Sequence, residues 1–305
     1  MLRVYSAAEV HAALDWPRLA AAIERLFLAQ PTVPVRHVHA LAERDHLLLM
    51  PAWDERFVIT KLVTVLPAAT PSVQATVLVV DRASGAPLAA LDGEAVTLRR
   101  TAATSALVAA RLAPRPERLL VIGTGQLAPW LARAHLALNP RIECVSVWGR
   151  RHERAQACAA AIAASPECAG RPVEVADVLA EAVAQSGLIS AATTADAPII
   201  CGEWLAPGTH LDLVGGFRRT MREADDEAVR KSRILVDTYA GALSEAGDLV
   251  QPLEQGVISR DAIKAELSEW LAGAHPVRES ASDITLFKSV GTAVEDLAAV
   301  HCLLA

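Results

Sequence analysis

The spacing of apolar residues along the chain changes from helical to strand-like and back again before residue 116. Residues 1–30 carry apolar side chains at helical intervals, which predicts one helix that ends at the two prolines following it. Residues 35–81 hold short apolar runs bounded by Pro, Asp and Gly, which predict strands at HLLLMPAW, FVITKLVTVLP and QATVLVVD. The hydroxyl of Thr97 suits an N-cap, so we expect an alanine-rich helix from there to just before Pro114.

Beyond residue 116, strand patterns alternate with helical ones. Strands are predicted at RLLVIGTG, ECVSVWG, PVEVA, GLISAAT, HLDLVG and RILVD, with helices after the glycine turn, at 152–164, at 177–185 and near 223–231. This alternation is typical of a doubly wound parallel sheet in an α/β protein. The C-terminal segment FKSVGTAVEDLAAVHCLLA is predicted to be one further helix. We therefore expect a first domain of residues 1–113 with 288–305, and a dinucleotide-binding domain of residues 114–287.

Composition excludes several classes of protein. The 305 residues are 52% apolar and 4% aromatic with a formal net charge of -6, which argues against disorder and against nucleic-acid binding. No apolar run approaches the roughly 20 residues of a membrane span, and the N-terminus lacks a signal-peptide pattern, so we expect a cytoplasmic protein without membrane contact. The five cysteines include no CxxC pair, so neither a disulfide framework nor a zinc site is expected.

Two histidines beside Arg36 are candidate acids or metal ligands. His37 and His39 share one face of a predicted strand, but no third ligand follows at a recognisable spacing, so we expect no metal site. His210 and His301 are expected to pack or to cap.

A glycine-rich segment lies between a predicted strand and a predicted helix, the setting of the GxGxxG/A dinucleotide fingerprint. Gly123 suits the tight turn, Gly125 suits close approach of a pyrophosphate, and Ala128 suits close packing of helix on strand. Free N–H groups at the helix start attract phosphate. The expected cofactor-binding residues here are Gly123, Thr124, Gly125, Gln126, Leu127 and Ala128.

The choice between the two nicotinamide dinucleotides depends on the end of the next strand, VSVWGRR. An NAD-specific site holds Asp or Glu there, whereas this chain has Arg150 and Arg151. Arginine pairs well with a 2'-phosphate, so NADP(H) is favoured over NAD(H). Taken alone, the two arginines could equally form a solvated helix entry.

Several segments together resemble the ornithine cyclodeaminase/mu-crystallin family over essentially the whole chain. They are MPAW, the strand containing Lys61, LDGEAVTLRRTAATSALVAARLA, GTGQLA, VWGRR, ALSEAGDL and TLFKSVGTAVEDLAA. The resemblance implies a Rossmann-type domain plus a mixed α/β domain that binds substrate and forms a homodimer. It also implies a small α-amino, α-imino or α-keto acid as substrate and a bound nicotinamide cofactor.

The resemblance also implies roles for individual residues. Arg36, Lys61 and Arg100 match positions that hold the substrate carboxylate, and Lys61 matches the group that assists at the α-carbon. A lysine in an apolar strand is costly to bury unless it meets an anion, although an edge-strand lysine and two surface arginines would look the same in sequence. Further positions match cofactor contacts: Thr76, Thr101, Ala192, Thr193, Thr194, Val214, Gly215 and Gly291.

Two departures from the family pattern bear on the reaction. Phe217 stands where ornithine cyclodeaminases have an aspartate, and Leu48 stands where they have a glutamate. Both changes remove acidic groups from the expected pocket, which then suits a δ-ammonium group poorly. The resemblance therefore favours the reductase branch, which reduces cyclic ketimine carboxylates such as Δ1-pyrroline-2-carboxylate or Δ1-piperideine-2-carboxylate. The alternatives are an ornithine cyclodeaminase, an alanine-type dehydrogenase and an NADPH-binding protein without turnover.

Overall fold

The computed structural model describes residues 2–304, which form two compact units. The first unit contains the chain up to Thr101 and again from Gly291, and the second runs from Ala102 to Val290. The first division falls inside a long helix, α3 (Gly93–Leu112). The sequence instead predicted divisions at residues 113/114 and 287/288.

The first unit is built on one six-stranded sheet. Strands β2 to β6 are antiparallel neighbours in chain order, and β1 joins β6 in parallel at one edge. The strands are β1 (Arg3–Tyr5), β2 (His37–Ala40), β3 (His46–Trp53), β4 (Phe57–Val65), β5 (Val73–Asp81) and β6 (Pro87–Asp92). Its helices are α1 (Ala7–Ala13), α2 (Trp16–Ala29), the start of α3, and α11 (Ala293–Leu304), which packs on α2, β3 and β4.

The prediction of a single helix over residues 1–30 is wrong. The structure has β1, α1 and α2 there, because two polar side chains begin new helices. Ser6 and Glu9 form a reciprocal capping box at α1. The Asp15 carboxylate accepts a hydrogen bond from the Arg18 N–H at 3.0 Å and starts α2. Apolar spacing continues across this break, so periodicity alone did not reveal it.

The expected start of the alanine-rich helix at Thr97 is also wrong, because α3 begins one turn earlier at Gly93. Asp92 caps it by accepting a hydrogen bond from the Ala95 N–H at 2.8 Å. The Thr97 hydroxyl instead donates to the Gly93 carbonyl at 2.7 Å, inside the helix. A Cβ on Gly93 would lie 2.6 Å from the Ala75 carbonyl carbon, so this helix start packs directly on β5.

The second unit contains an eight-stranded, entirely parallel sheet in the order β13-β12-β14-β11-β10-β7-β8-β9. The predicted Rossmann-type α/β architecture is confirmed. Its strands are β7 (Arg118–Ile122), β8 (Cys144–Trp148), β9 (Val173–Val175), β10 (Leu188–Ala191), β11 (His210–Leu213), β12 (Ser232–Val236), β13 (Ile263–Glu266) and β14 (Ile284–Lys288). Its helices are α4 (Leu127–Leu138), α5 (His152–Ala163), α6 (Leu179–Gln185), α7 (Asp226–Lys231), α8 (Tyr239–Glu245), α9 (Gly247–Glu254) and α10 (Leu267–Leu271).

The prediction that the whole C-terminal segment is helical is wrong at its beginning. Its first two residues, Phe287 and Lys288, end the strand β14, which lies between β11 and β12 in the sheet, and α11 begins only at Ala293. Four of the five side chains of β14 are buried, as in a strand covered on both faces. Such a short apolar run looks the same in a buried helix, so tertiary pairing decides between them.

Three further properties of residues 2–304 concern membrane spans, metal sites and cysteines. No helix in that range is long and apolar enough to cross a membrane. The same residues contain no group of three or more His, Cys, Asp or Glu side chains placed to hold a metal ion. All five cysteines are free thiols.

Candidate active site

In the first unit, a buried ion cluster surrounds Lys61. This side chain points from β4 to the covered face of the sheet and is 2% exposed. Its Nζ lies 2.9 Å from Oδ2 and 3.0 Å from Oδ1 of Asp296, and 3.4 Å from the Thr97 hydroxyl. Arg100 joins the same cluster, because its Nε lies 3.2 Å from Asp296 Oδ1 and its guanidinium also contacts Glu295. The start of α11 thus supplies the anions for two buried cations.

Burial sets the protonation of this lysine. Loss of hydration lowers the pKa of Lys61 to about 8, against the attraction of Asp296, which raises it; Arg100 lowers it further by repulsion. A lysine with a pKa of about 8 exchanges its proton at near-neutral pH, unlike one in solvent. The site therefore contains a group suited to general acid catalysis.

The third predicted basic residue lies at the same end of α11. Arg36 is half-buried, and its guanidinium donates to the Gly291 carbonyl at 2.6 Å. Gly291 has φ +82°, and a Cβ there would lie 2.5 Å from a guanidinium nitrogen of Arg100. Only glycine fits between these two arginines without displacing one of them. The structure thus brings Arg36, Arg100 and Gly291 together.

The prediction of a pocket without acidic groups is wrong. Glu295 and Asp296 are completely buried beside Arg100 and Lys61. The sequence treated this pair only as part of a family signature. The usable signal was the requirement that a lysine buried in an apolar strand must meet an anion.

The two predicted cofactor threonines of the first unit have different settings. Thr101 follows Arg100 on α3 and is buried. Thr76 is exposed on β5, and the pairing of Lys61 with Val77 places it on the sheet face opposite to Lys61. The structure therefore does not bring Thr76 to the Lys61 cluster.

In the second unit, the predicted glycine loop joins β7 to α4. Gly123 has φ +118°, and a Cβ there would lie 2.5 Å from the Ala192 carbonyl oxygen, so the fold itself requires glycine. Gly125 is exposed, and a Cβ there would have no atom of the chain within 4 Å. Open space at Gly125 fits the close approach of a pyrophosphate to the backbone. Ala128 is fully buried on the first turn of α4, as close packing demands.

The end of β8 lies against this loop. A Cβ on Gly149 would lie 2.5 Å from the Thr124 methyl group. Arg150 and Arg151 follow, and both are exposed. Among residues 2–304 neither forms an ion pair, so both guanidiniums are available to an anion.

The loops that follow β10 and β11 are tied together by three buried charged residues that the sequence did not identify. Glu223 Oε1 accepts hydrogen bonds from the Thr193 N–H at 2.7 Å and the Thr193 hydroxyl at 2.9 Å. Lys288 contacts the Gly215 carbonyl and lies 3.0 Å from Asp248 Oδ2. Of the predicted cofactor residues in these loops, Thr193 and Gly215 take part directly, whereas Ala192, Thr194 and Val214 only flank them. The one sequence signal was a lysine inside an apolar run.

Phe217 and Leu48 are the two residues that replace acids of the ornithine cyclodeaminase pattern. Phe217 is 48% exposed and follows Gly216, whose φ is +58°. Leu48 lies on β3, half-buried, and pairs with Val63 of β4, on the same face as Lys61. Neither side chain can transfer a proton.

The histidines lie outside both clusters. His37 and His39 are exposed and stack on β2 with ring centroids 6.4 Å apart. His210 lies 2.8 Å from the Thr285 hydroxyl, and burial lowers its pKa to about 3. His301 on α11 lies 2.5 Å from Asp54 Oδ2.

The chain was compared with protein-family models and with known proteins. The model of the ornithine cyclodeaminase/mu-crystallin family matches residues 2–304. A Δ1-pyrroline-2-carboxylate reductase of Colwellia psychrerythraea is 33% identical over 311 residues, covering 98% of each chain. The ketimine reductase mu-crystallin of Mus musculus is 36% identical over 277 residues, covering 87% of this chain and 82% of its own.

The chain is also similar to a solved structure. The Δ1-pyrroline-2-carboxylate reductase of Thermococcus litoralis, in complex with NADH and L-proline, superposes with a TM-score of 0.92 at 32% identity. The superposition covers 99% of this chain and 96% of that one. The protein therefore belongs to the ornithine cyclodeaminase/mu-crystallin family.

Proposed function

We propose that the protein reduces the C=N bond of a cyclic ketimine carboxylate, Δ1-pyrroline-2-carboxylate or Δ1-piperideine-2-carboxylate, to the cyclic amino acid. The observation that carries this proposal is the buried Lys61–Asp296 pair beside Arg100, with Arg36 at the same helix start. Relatives named as reductases of such imines support the substrate class.

The basic residues of the first unit bind and protonate the substrate in this proposal. Arg36 and Arg100 hold the carboxylate through charge-assisted hydrogen bonds, which also fixes the orientation of the neighbouring C=N bond. Lys61 donates its proton to the imine nitrogen as C2 accepts a hydride, and it regains a proton from water. Asp296 remains ionised and keeps the Lys61 ammonium in place. A bound nicotinamide dinucleotide supplies the hydride.

The second unit holds that dinucleotide in this proposal. The loop from Gly123 to Ala128 and the start of α4 bind the pyrophosphate, for which the open space at Gly125 is suited. The loops containing Thr193 and Gly215 contact the remainder of the cofactor. Thr76, exposed on the far face of its sheet, has no place in this arrangement.

We further propose a preference for NADP(H), which the exposed Arg150 and Arg151 support. Replacing both arginines by alanine should weaken NADPH binding about tenfold while NADH binding changes little, because only NADPH carries the 2'-phosphate. Titration of protein tryptophan fluorescence with each cofactor measures both affinities. An equal loss for NADPH and NADH would contradict the preference.

We also propose that the protein is a homodimer formed through the outer face of the six-stranded sheet. Val4, Leu62 and Leu78 lie on that face and are 70%, 42% and 42% exposed. Exposed apolar residues on one sheet face are typical of a protein–protein interface. Light scattering should show a dimer, and Leu62→Lys with Leu78→Lys should give a monomer.

The cytoplasm is our proposed location. All five cysteines are free thiols, of which Cys158, Cys168 and Cys302 are buried. Oxidising compartments favour paired cysteines, whereas reducing ones leave thiols free.

The experiment that tests the reaction is a spectrophotometric assay at about 340 nm with NADPH or NADH and each of the two imines. We expect imine-dependent loss of the reduced cofactor. A parallel reaction with ornithine and NAD, in which ammonia and proline are measured, should give no ammonia, because Phe217 and Leu48 replace the acids needed for that chemistry. Ammonia release from ornithine, or no response to either imine, would contradict the proposal.

A further inference from the structure

The buried cluster of Glu223, Asp248 and Lys288 lies at the carboxyl edge of the sheet in the second unit. Lys288 ends β14, Thr193 follows β10, and Gly215 follows β11, and these three strands are neighbours in the sheet. In doubly wound sheets, ligands bind outside the carboxyl ends of the strands. The adenosine ribose belongs at the end of β8, on the other side of β7, so the nicotinamide half belongs on the side of β10 and β11.

The cluster is closely built. Asp248 Oδ1 accepts hydrogen bonds from the backbone N–H groups of Glu223 at 2.7 Å and Ala224 at 3.1 Å, and its Oδ2 pairs with Lys288. A Cβ on Gly215 would lie 2.4 Å from Glu223 Oε1, and one on Gly216 would lie 2.4 Å from Asp248 Oδ2. The two glycines of this loop therefore lie directly on the two carboxylates.

The charges of the cluster do not balance when every group is ionised. Lys288 and Asp248 form a neutral pair, so an ionised Glu223 adds one uncompensated negative charge. Arg222 is the neighbouring cation in sequence, but its guanidinium pairs with Asp226 at 2.8 Å. Glu223 is fully buried, and within residues 2–304 its Oε2 has no hydrogen-bond partner. A buried carboxylate with one unsatisfied oxygen is easily protonated.

The electrostatic setting agrees with this geometry. Burial, together with repulsion by Asp248, raises the pKa of Glu223 to about 7, against the lowering effects of Lys288 and the Thr193 hydrogen bonds. Glu223 thus changes charge near neutral pH. The oxidised nicotinamide ring carries a positive charge and the reduced ring carries none, so an ionised Glu223 favours the oxidised form.

We propose that Glu223 couples proton binding to the redox state of the bound nicotinamide, being ionised with the oxidised ring and protonated with the reduced ring. Binding of the oxidised cofactor then releases a proton from Glu223 to solvent, and binding of the reduced cofactor does not. This inference rests on the proposed nicotinamide dinucleotide binding, but it does not depend on the identity of the imine.

The test measures dissociation constants for NADP+ and NADPH between about pH 5.5 and 7.5, where Lys61, with a pKa of about 8, stays largely protonated. In the wild-type protein, affinity for NADP+ relative to NADPH should rise about tenfold with pH, a magnitude ordinary for two charges in a partly buried site. Glu223→Gln mimics the protonated carboxyl and should make the ratio independent of pH. Both cofactors carry the 2'-phosphate, so its own pH dependence cancels in the ratio of the two dissociation constants.

Asp212→Asn is the matched control. Asp212 is another fully buried carboxyl of the second unit, hydrogen-bonded by the Ser190 hydroxyl at 2.6 Å within the sheet, so this variant should keep the wild-type pH dependence. A ratio that is constant with pH in the wild-type protein, or that still varies in Glu223→Gln, would overturn the proposal.

A calorimetric measurement needs no variant. Titrating the wild-type protein with NADP+ near pH 7 in buffers of different ionisation enthalpy should reveal release of a fraction of a proton per site, and NADPH should release less. Equal proton release by both cofactors would overturn the proposal. Both experiments omit the imine, so a protein that binds the cofactors but reduces neither imine would count against the proposed reaction alone.

Discussion

Each unit contains a buried cluster of one lysine and carboxylates, and the two clusters differ in which group changes charge. In the first unit, burial and the neighbouring Arg100 lower the pKa of Lys61 to about 8. In the second unit, burial and the neighbouring Asp248 raise the pKa of Glu223 to about 7. Desolvation favours the neutral form of every buried ionisable group. A neighbouring group of like charge then decides which member of the cluster becomes neutral near neutral pH. The first cluster is thus suited to donating a proton, and the second to responding to a cation.

The largest effect should come from removing the Lys61 ammonium. Lys61→Met should lower turnover of the imine about a thousandfold, within the range for loss of a general acid that also contacts the substrate, while NADPH affinity stays the same. Steady-state kinetics and a fluorescence titration separate the two quantities. Lys264→Met, at an exposed contact with the Asp261 carbonyl, should match the wild type in both. Turnover that survives in Lys61→Met would remove Lys61 from the mechanism.

Removing the ammonium of Lys288, the lysine of the second cluster, should affect mainly stability, in contrast to the loss of turnover expected for Lys61. Lys288→Met leaves Asp248 buried without its cation and should lower the free energy of unfolding by about 3–5 kcal/mol. Thermal denaturation measures the loss, and we expect weaker cofactor binding by the protein that remains folded. Combining Lys288→Met with Asp248→Asn should restore part of the stability, because the unpaired charge is gone. A double variant no more stable than the single one would show that this charge is not the cause.

A smaller effect should follow when Asp296 loses its charge. Asp296→Asn removes the attraction that raises the pKa of Lys61, so this pKa falls further. In the proposed mechanism the protonated lysine is the acid, so wild-type activity should decline as pH rises through about 8. In the variant the decline should begin at lower pH. The dependence of kcat/KM on pH measures the shift, with about a tenfold loss expected at pH 8. Asp296→Glu keeps the negative charge and should restore part of the pH profile of kcat/KM. If the variants are as stable as the wild type, a purely structural role of Asp296 would not explain this recovery.

The smallest effect should come from substituting the two glycines of the cofactor loop, one of which should alter cofactor affinity and the other stability. Gly125→Ala meets no atom of the chain and should leave thermal stability unchanged, while NADPH binding weakens by a few-fold to about tenfold. Gly123→Ala should lower stability, because its φ of +118° and the Ala192 carbonyl exclude a side chain. Unchanged NADPH affinity in Gly125→Ala would contradict the proposed approach of the pyrophosphate at this residue.

The sequence predicted the structure best where structure follows from local pattern. The alternation of strands and helices after residue 116 predicted the parallel sheet, and the motif at Gly123 to Ala128 lies between β7 and α4 as expected. It was least successful where polar side chains begin an element. Asp15 caps α2, which apolar spacing had joined to the segment before it. Asp92 caps α3, which had been predicted to start later, at Thr97. Phe287 and Lys288, which end β14, were predicted as helix because only the neighbouring strands β11 and β12 distinguish the two.

The sequence by itself determined the doubly wound sheet, the glycine loop and the family, because these depend on periodicity and short motifs. It also predicted Arg36, Lys61 and Arg100 as substrate-binding residues, through a resemblance and the cost of burying charge. Only the tertiary structure decided which anions meet those cations, since Lys61 and Asp296 are 235 positions apart. It likewise decided that Lys61 and Glu223 titrate near neutral pH, because a pKa depends on burial and on neighbours that folding brings from distant parts of the chain.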